Sequence, residues 1–282
     1  MRVVISHFYN EEYMLPWWLR HHREIFDHGV LIDYHSTDQS RAICSELVPH
    51  WEVVPSENSE FAAIMVDFEV MKHEQRFANA WKMALNTTEF LQGDIAAVEN
   101  RIQSTSSTAA RLEAALLVDD EPDNLPSHEF PLVRQKFSGI WERDLKYFGG
   151  MRLRDMVRGT AIARLMDRTS RYGLVNRTAV TGQRLTCRGR IYHRYKIGAY
   201  SPGRHRSALP GQLSIDRDIA SIWWYGFSPW NEHVLARKLQ IDGRRDNFDK
   251  AHHFGIQHSA KAEELNRSWR SAREICQPLS SR

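Results

Sequence analysis

The sequence predicts an α/β fold: a mostly parallel, Rossmann-like sheet flanked by helices, followed by a less regular C-terminal half. Two observations carry this. Short apolar runs alternate with stretches of helical periodicity over the first 91 residues. The runs end in polar turns, the arrangement of a parallel sheet whose strands point their loops at one edge.

Arg2–His7 is a short run rich in β-branched residues, as a buried strand is, and Asn10-Glu11-Glu12 breaks it. Residues 12–26 carry Met14, Leu15, Trp18, His22, Ile25 and Phe26 at helical spacing, with Pro16 early, where a helix tolerates it. Val30–Asp33 is a second strand, and Ser36-Thr37-Asp38 forms a turn and cap before a short helix over 39–48. Trp51–Val54 is a third strand ended by Pro55, residues 60–80 read as a long helix, and Lys82–Leu85 is a fourth strand. Beyond Asp94 the pattern weakens. Residues 101–112 read as a loop leading into a helix, Leu116–Val118 as a strand, Asp119–Ser127 as a surface loop, and the last 25 or so residues as a helical tail. We expect one domain over residues 1–210 and an aromatic and helical extension over 211–282.

Hydrophobic residues make up 42% and charged residues 26%, the balance of a globular chain rather than a disordered one. The net charge of +3 is unevenly spread: 134–206 is rich in Arg, whereas 111–129 is acidic. A basic face suits a phosphate-bearing ligand. Nucleic acid is not expected, because no RRM, KH, helix-turn-helix or zinc-finger spacing is present. Cys44, Cys187 and Cys276 are odd in number and far apart, which points to reduced thiols and a cytoplasmic setting. No run of about 18 apolar residues exists, so any membrane contact is expected to be peripheral.

In parallel sheets ligands sit outside the carboxyl ends of the strands. Here that edge receives the turns 7–12, 33–40, 56–60 and 86–89. Four ordered motifs there resemble family-2-like glycosyltransferases of the GT-A fold. They are Phe8-Tyr-Asn-Glu-Glu12, Leu15-Pro-Trp-Trp-Leu-Arg-His-His22, Asp33-Tyr-His-Ser-Thr-Asp-Gln-Ser40 and Trp81-Lys-Met-Ala-Leu-Asn-Thr-Thr-Glu-Phe-Leu91. The resemblance implies that residues 1–91 bind a nucleotide sugar. It makes Asn10, Glu11, Asp33, Asp38, Asn86, Thr88 and Arg204 candidate nucleotide-sugar-binding residues.

The last motif departs from the family's pattern. Where Asp-x-Asp would hold Mg²⁺ or Mn²⁺ against the diphosphate, this chain has Asn86 and Thr88. Carboxylates are the hard anionic ligands such ions need, and an amide or hydroxyl does not offset the ion's charge. Glu89 and His205 are the candidate metal ligands that remain, with Glu89 alternatively bracing its loop. Without a metal, the cationic stretch His193–Arg206 is the candidate to stabilise the leaving diphosphate.

An inverting transfer needs a carboxylate base. Glu142 and Asp144, beside Trp141, Tyr147 and Phe148, are the candidates; an exposed helix face is the alternative reading. The run Trp223–Trp230 reads as an acceptor wall or as core. The expected function is transfer of a sugar from a nucleotide-diphosphate sugar to a saccharide or lipid-linked hydroxyl. The alternatives are a non-catalytic nucleotide-sugar or glycan binder and, more distantly, a basic phosphate- or RNA-binding protein.

Overall fold

A computed structural model describes residues 1–145, 185, 187–252 and 259–280. The aromatic candidates Tyr147 and Phe148 lie outside the described residues. Strands β1 (Arg2–Phe8), β2 (His28–Asp33), β3 (Glu52–Pro55) and β4 (Trp81–Ala84) are joined in order by helices α1 (Leu15–His22), α2 (Ser40–Leu47) and α3 (Ala63–Glu74). The sheet order is β3-β2-β1-β4, and every neighbouring pair in this half is parallel. The helix expected over 60–80 is shorter: α3 passes into a 3₁₀ turn at Gln75–Phe77.

The α/β class expected from the sequence is the one adopted. β1 is buried on both faces. Val3 and Ile5 join Val66 and Val70 of α3 in one apolar cluster, while Val4 and Phe8 join Trp18 and Leu19 of α1 in the other. Coverage on both sides explains why β1 is largely apolar along its length.

The second half is mixed in direction. It adds β5 (Glu89–Gly93), β6 (Ala109–Val118), β7 (Ser138–Trp141), β8 (Arg190–His193), β9 (Gln212–Ile215), β10 (Ala220–Phe227) and β11 (Gln277–Pro278). β8 runs antiparallel between β4 and β6 and so joins the two halves. β10 pairs antiparallel with β5 and parallel with β6, and β9 pairs parallel with β6. The segment 211–282 is therefore woven into the sheet of the segment before it. No helix among the described residues is long and apolar enough to cross a membrane.

One expected element is corrected. Residues 101–112 do not lead into a helix; helix α4 (Ile95–Gln103) ends early and β6 begins at Ala109. A Ser/Thr-rich stretch followed by Arg111-Leu-Glu113 reads as a loop leading into a helix. Arg111 and Glu113 lie on a strand instead, and their charges are met across it: Arg111 pairs with Glu142 and Glu113 with Arg143.

The join between the halves tolerates no added bulk. A Cβ at Gly189, the residue before β8, would lie 1.9 Å from the Leu112 carbonyl oxygen of β6. Gly189→Ala is expected to cost about 3 kcal/mol, the upper range for overpacking. Urea denaturation would measure it, and a loss below about 1 kcal/mol would contradict the tight β6–β8 contact.

Candidate functional site

The turn after β4 is held rigidly. Glu89 is 3% exposed and opens β5. Its Oε2 accepts from the Asn86 backbone N–H at 2.8 Å and from Arg190 Nε at 2.8 Å, and its Oε1 accepts from Arg190 Nη2. Arg190, on β8, is 1% exposed and gives its remaining nitrogen, Nη1, to the Gly203 carbonyl at 2.6 Å. A buried carboxylate with a two-point guanidinium partner is compensated in charge and in hydrogen bonds. Glu89 is thus the brace of its turn, and both its oxygens are committed.

Helix α1 fixes the same strand from the other side. Trp18 Nε1 donates to the Glu89 carbonyl at 2.9 Å, and His21 Nε2 donates to the Leu91 carbonyl at 2.7 Å. His22 accepts from the Leu91 N–H through Nε2 at 3.2 Å, so its Nδ1 is the nitrogen that donates to the Trp18 carbonyl. Burial holds the His22 pKa well below its usual value, which matches this neutral tautomer.

Above this turn lies a cleft of about 1090 Å³ at the carboxyl edge of the parallel strands. Glu11, Asn86, Thr88, Glu89, Arg204 and His205 line it. Arg204 comes from the loop after β8. It donates to Asp67 of α3, and its Nη2 donates to Asn86 Oδ1 at 2.8 Å. His205 keeps an uncharged ring. Burial, with Arg190, Arg188 and Arg204 adding repulsion, pushes its pKa down to about 2. Glu11 accepts from Arg237 Nε at 2.6 Å, which ties the loop after β1 to the helix Glu232–Leu239.

Three further candidates shape the rim without lining the cleft. Asn10, at φ +48°, accepts from the Thr37 N–H at 2.8 Å and so links the loops after β1 and β2. Asp33 accepts from the Ser36 N–H at 2.9 Å and from Arg41 Nη1 at 3.0 Å. Asp38 accepts from the Ser40 N–H at 3.0 Å and the Glu12 N–H at 3.1 Å, closing the turn before α2. The neighbour of Asp33, Tyr34, lines the cleft instead.

The two acids expected to act as base stand elsewhere. Neither Glu142 nor Asp144 lines the cleft. Glu142 is buried, pairs with Arg111, and accepts from the Gly189 N–H at 2.9 Å, so it fastens β8 to β6. His193 is also withdrawn: its Nε2 lies 3.2 Å from Glu74 and 3.1 Å from the Tyr200 hydroxyl. The aromatic run divides between both readings. Trp223 and Tyr225 are core, while Trp224 and Phe227 line the cleft.

Sequence reasoning missed the C-terminal wall. Lys238, Arg244 and Arg267 line the cleft, and among the described residues none has a carboxylate partner. Lys238 Nζ lies 4.9 Å from the Phe227 ring centroid and 5.8 Å from that of Trp224, and Arg244 stacks 3.7 Å over Tyr9. Burial, with Arg237 adding repulsion, lowers the Lys238 pKa to about 7. The floor cations Arg190, Arg204 and Arg237 are each paired with a carboxylate, whereas Lys238, Arg244, Arg267 and, elsewhere in the lining, Arg188 have no salt-bridge partner among the described residues.

With its donors already engaged by guanidiniums, the turn offers no open position for a divalent ion. Asn86 Oδ1 accepts from one guanidinium, Glu89 faces another, and Asp67 is paired. No cluster of three or more His, Cys, Asp or Glu side chains suited to a metal exists among the described residues.

No protein-family model matches the chain, and no curated protein matches it. Among solved structures it is similar to TarS 1–349 of S. aureus, at 13% identity and a TM-score of 0.39 over 97% of this chain and 73% of that one. It is similar to the same protein in complex with UDP, at 14% identity and a TM-score of 0.36 over 45% of this chain. That second match spans 38% of the UDP-bound chain, less than half its length. A third is glucosyl-3-phosphoglycerate synthase from Mycobacterium tuberculosis in complex with Mn²⁺, UDP and glucosyl-3-phosphoglycerate. There the identity is 11% and the TM-score 0.39, over 88% of this chain and 81% of that one. These likenesses are loose, and the site stands on its own geometry.

The Glu89–Arg190 pair yields a direct test. Removing one partner of a buried pair strands the other charge, so Glu89→Ala is expected to lose about 3–5 kcal/mol. Replacing both, Glu89→Leu with Arg190→Met, should recover most of that loss by the same reasoning. Denaturant midpoints of the two variants decide it; equal midpoints would show that the pair is not coupled.

Proposed function

We propose that this protein is a GT-A-type glycosyltransferase that moves a sugar from a nucleotide-diphosphate sugar to a hydroxyl of a saccharide or lipid-linked acceptor, with inversion and without a divalent ion. The observation that carries this reading is the pairing of a rigid Asn86–Glu89 floor with an uncompensated cationic wall across a cleft at the carboxyl edge of β1, β2 and β4. A diphosphate is the dianion such a wall suits. The cleft volume of about 1090 Å³ leaves room for a donor and an acceptor together.

In this mechanism Lys238, Arg244 and Arg267 hold the diphosphate and take up the charge it gains as the anomeric bond breaks. The acceptor oxygen forms the new bond to the anomeric carbon as the diphosphate leaves from the opposite side. Its proton passes to a carboxylate. Of the four carboxylates that line the cleft among the described residues, Glu11, Asp67 and Glu89 face arginines. Glu264 has no cationic partner among the described residues and accepts a bond from the Lys261 N–H at 3.0 Å, so we assign it as the base.

The founding experiment is a thermal-shift screen of UDP-, GDP-, CMP- and dTDP-sugars in EDTA and in Mn²⁺, followed by donor hydrolysis. A shift in EDTA accompanied by turnover supports the transferase. A shift without turnover supports the non-catalytic binder instead. No shift with any nucleotide, together with RNA binding that weakens steeply with salt, overturns both. Glu264→Gln is expected to lower kcat by about 100-fold or more while leaving donor affinity unchanged.

The pH dependence has a definite sign. Lys238 is charged below its depressed pKa of about 7 and neutral above it. Affinity for the donor, whose diphosphate charge is constant in this range, is therefore highest below pH 7 and falls by about tenfold on the way to pH 8.5, the worth of one charged hydrogen bond. Lys238→Arg should flatten the profile. Titration calorimetry at pH 6 and 8.5 measures it, and an affinity that rises with pH would contradict the role of Lys238.

A further inference from the structure

Arg204 is held by side chains from three elements. Asp67 of α3 accepts from its Nη1, Asn86 after β4 accepts from its Nη2 at 2.8 Å, and the Nδ1 of His7 on β1 lies 3.3 Å from the same nitrogen. The residue is 4% exposed. Its backbone has φ +57°, directly after Gly203 at φ +86°. That left-handed geometry suits glycine or asparagine far better than arginine. The strain is sustained by what surrounds it: Asp67 also accepts from the Gly203 N–H at 2.7 Å, so one carboxylate fixes both the loop and the guanidinium.

A carboxylate, an amide oxygen and an imidazole nitrogen around one positive centre make a donor set that suits a hard divalent ion as well as it suits a guanidinium. Here the guanidinium fills it. Asp67 supplies one negative charge and Arg204 cancels it, so the cage has neither space nor charge for a second cation.

We propose that Arg204 is a built-in counter-cation to Asp67, filling a position that a divalent ion could otherwise take, and that Asp67, Asn86 and His7 form a latent metal site that opens when Arg204 is removed. The purpose of this cation rests on the nucleotide-sugar reading above. The cage itself does not.

The test measures Mn²⁺ uptake directly, by electron paramagnetic resonance of the free ion, with no nucleotide present. Wild-type protein is expected to take up none at millimolar metal. Arg204→Ala combined with Asn86→Asp is expected to bind about one Mn²⁺ per chain, at least about tenfold tighter than wild type, because it now offers two carboxylates and an imidazole. Arg204→Lys keeps the charge and most of the volume, so it should stay folded and take up none. If wild type or Arg204→Lys binds Mn²⁺ as well as the double variant, or if the folded double variant binds none, the proposal is overturned. If the double variant folds only when Mn²⁺ is added, the proposal is supported. The two readings fail separately. Mn²⁺ uptake by the double variant without any nucleotide-sugar shift in wild type would sink the donor assignment and leave the cage. A wild-type shift in EDTA without Mn²⁺ uptake by the double variant would do the reverse.

Discussion

The rest of the site depends on the ion pair between Glu89 and Arg190. It joins the end of the parallel half-sheet to β8, the strand on which the two halves meet. Through Arg190 Nη1 and the Gly203 carbonyl it also sets the height of the loop that carries Arg204. A pair this deeply buried gains little net stability over an apolar substitute of the same shape. What it supplies is position. Each of its polar atoms is matched, so the turn at Asn86 and the loop at Gly203 have one arrangement relative to each other.

Charge in the cleft is sorted by the partner each cation has. At the floor, guanidiniums are matched one to one with carboxylates: Arg190 with Glu89, Arg204 with Asp67, Arg237 with Glu11. These pairs bind chain to chain. On the wall, Lys238 and Arg244 rest against aromatic rings instead of acids. A ring holds a cation in place without cancelling its charge. That difference separates cations that build the site from cations free to meet an anionic ligand, and it is set by the neighbour each one has, not by residue type.

The sequence made the parallel half readable because its strands carry their own signal. Buried β-branched runs, the Pro16 helix start and the polar turns are all local features. The position of Asn86–Glu89 at a strand end was legible for the same reason. The partner of Glu89 was not, since Arg190 lies 101 residues away in an Arg-rich stretch that singles out no one residue. The partners of Arg111 and Glu113 are hidden in the same way: each charge is answered from the segment 142–143. One local signal does bear on these distant partners. Asp67 and Glu74 are seven residues apart, on one face of α3, with no basic residue three or four positions to either side. Helical acids with only apolar neighbours at those spacings find partners elsewhere. Here Asp67 takes Arg204 and the Gly203 N–H, and Glu74 takes the Gly198 N–H and the Tyr200 hydroxyl.

These acids explain how a turn with neutral residues at 86 and 88 can still sit in an anion-binding cleft. A metal-binding turn must carry its negative charge itself, because the ion arrives from solvent. A turn served by arginine needs none, since the cation is part of the chain and its counter-charge can sit on another element. In this protein that counter-charge lies on α3, behind the site, in Asp67. Asn86 then has only to accept one hydrogen bond from Arg204, which an amide oxygen does without adding a second negative charge at the cleft surface. With the floor neutral, the wall of Lys238, Arg244 and Arg267 dominates the field that an approaching anion meets. The neutral residues at 86 and 88 are thus consistent with the electrostatics of the whole cleft: carboxylates there would oppose the charge that the wall provides.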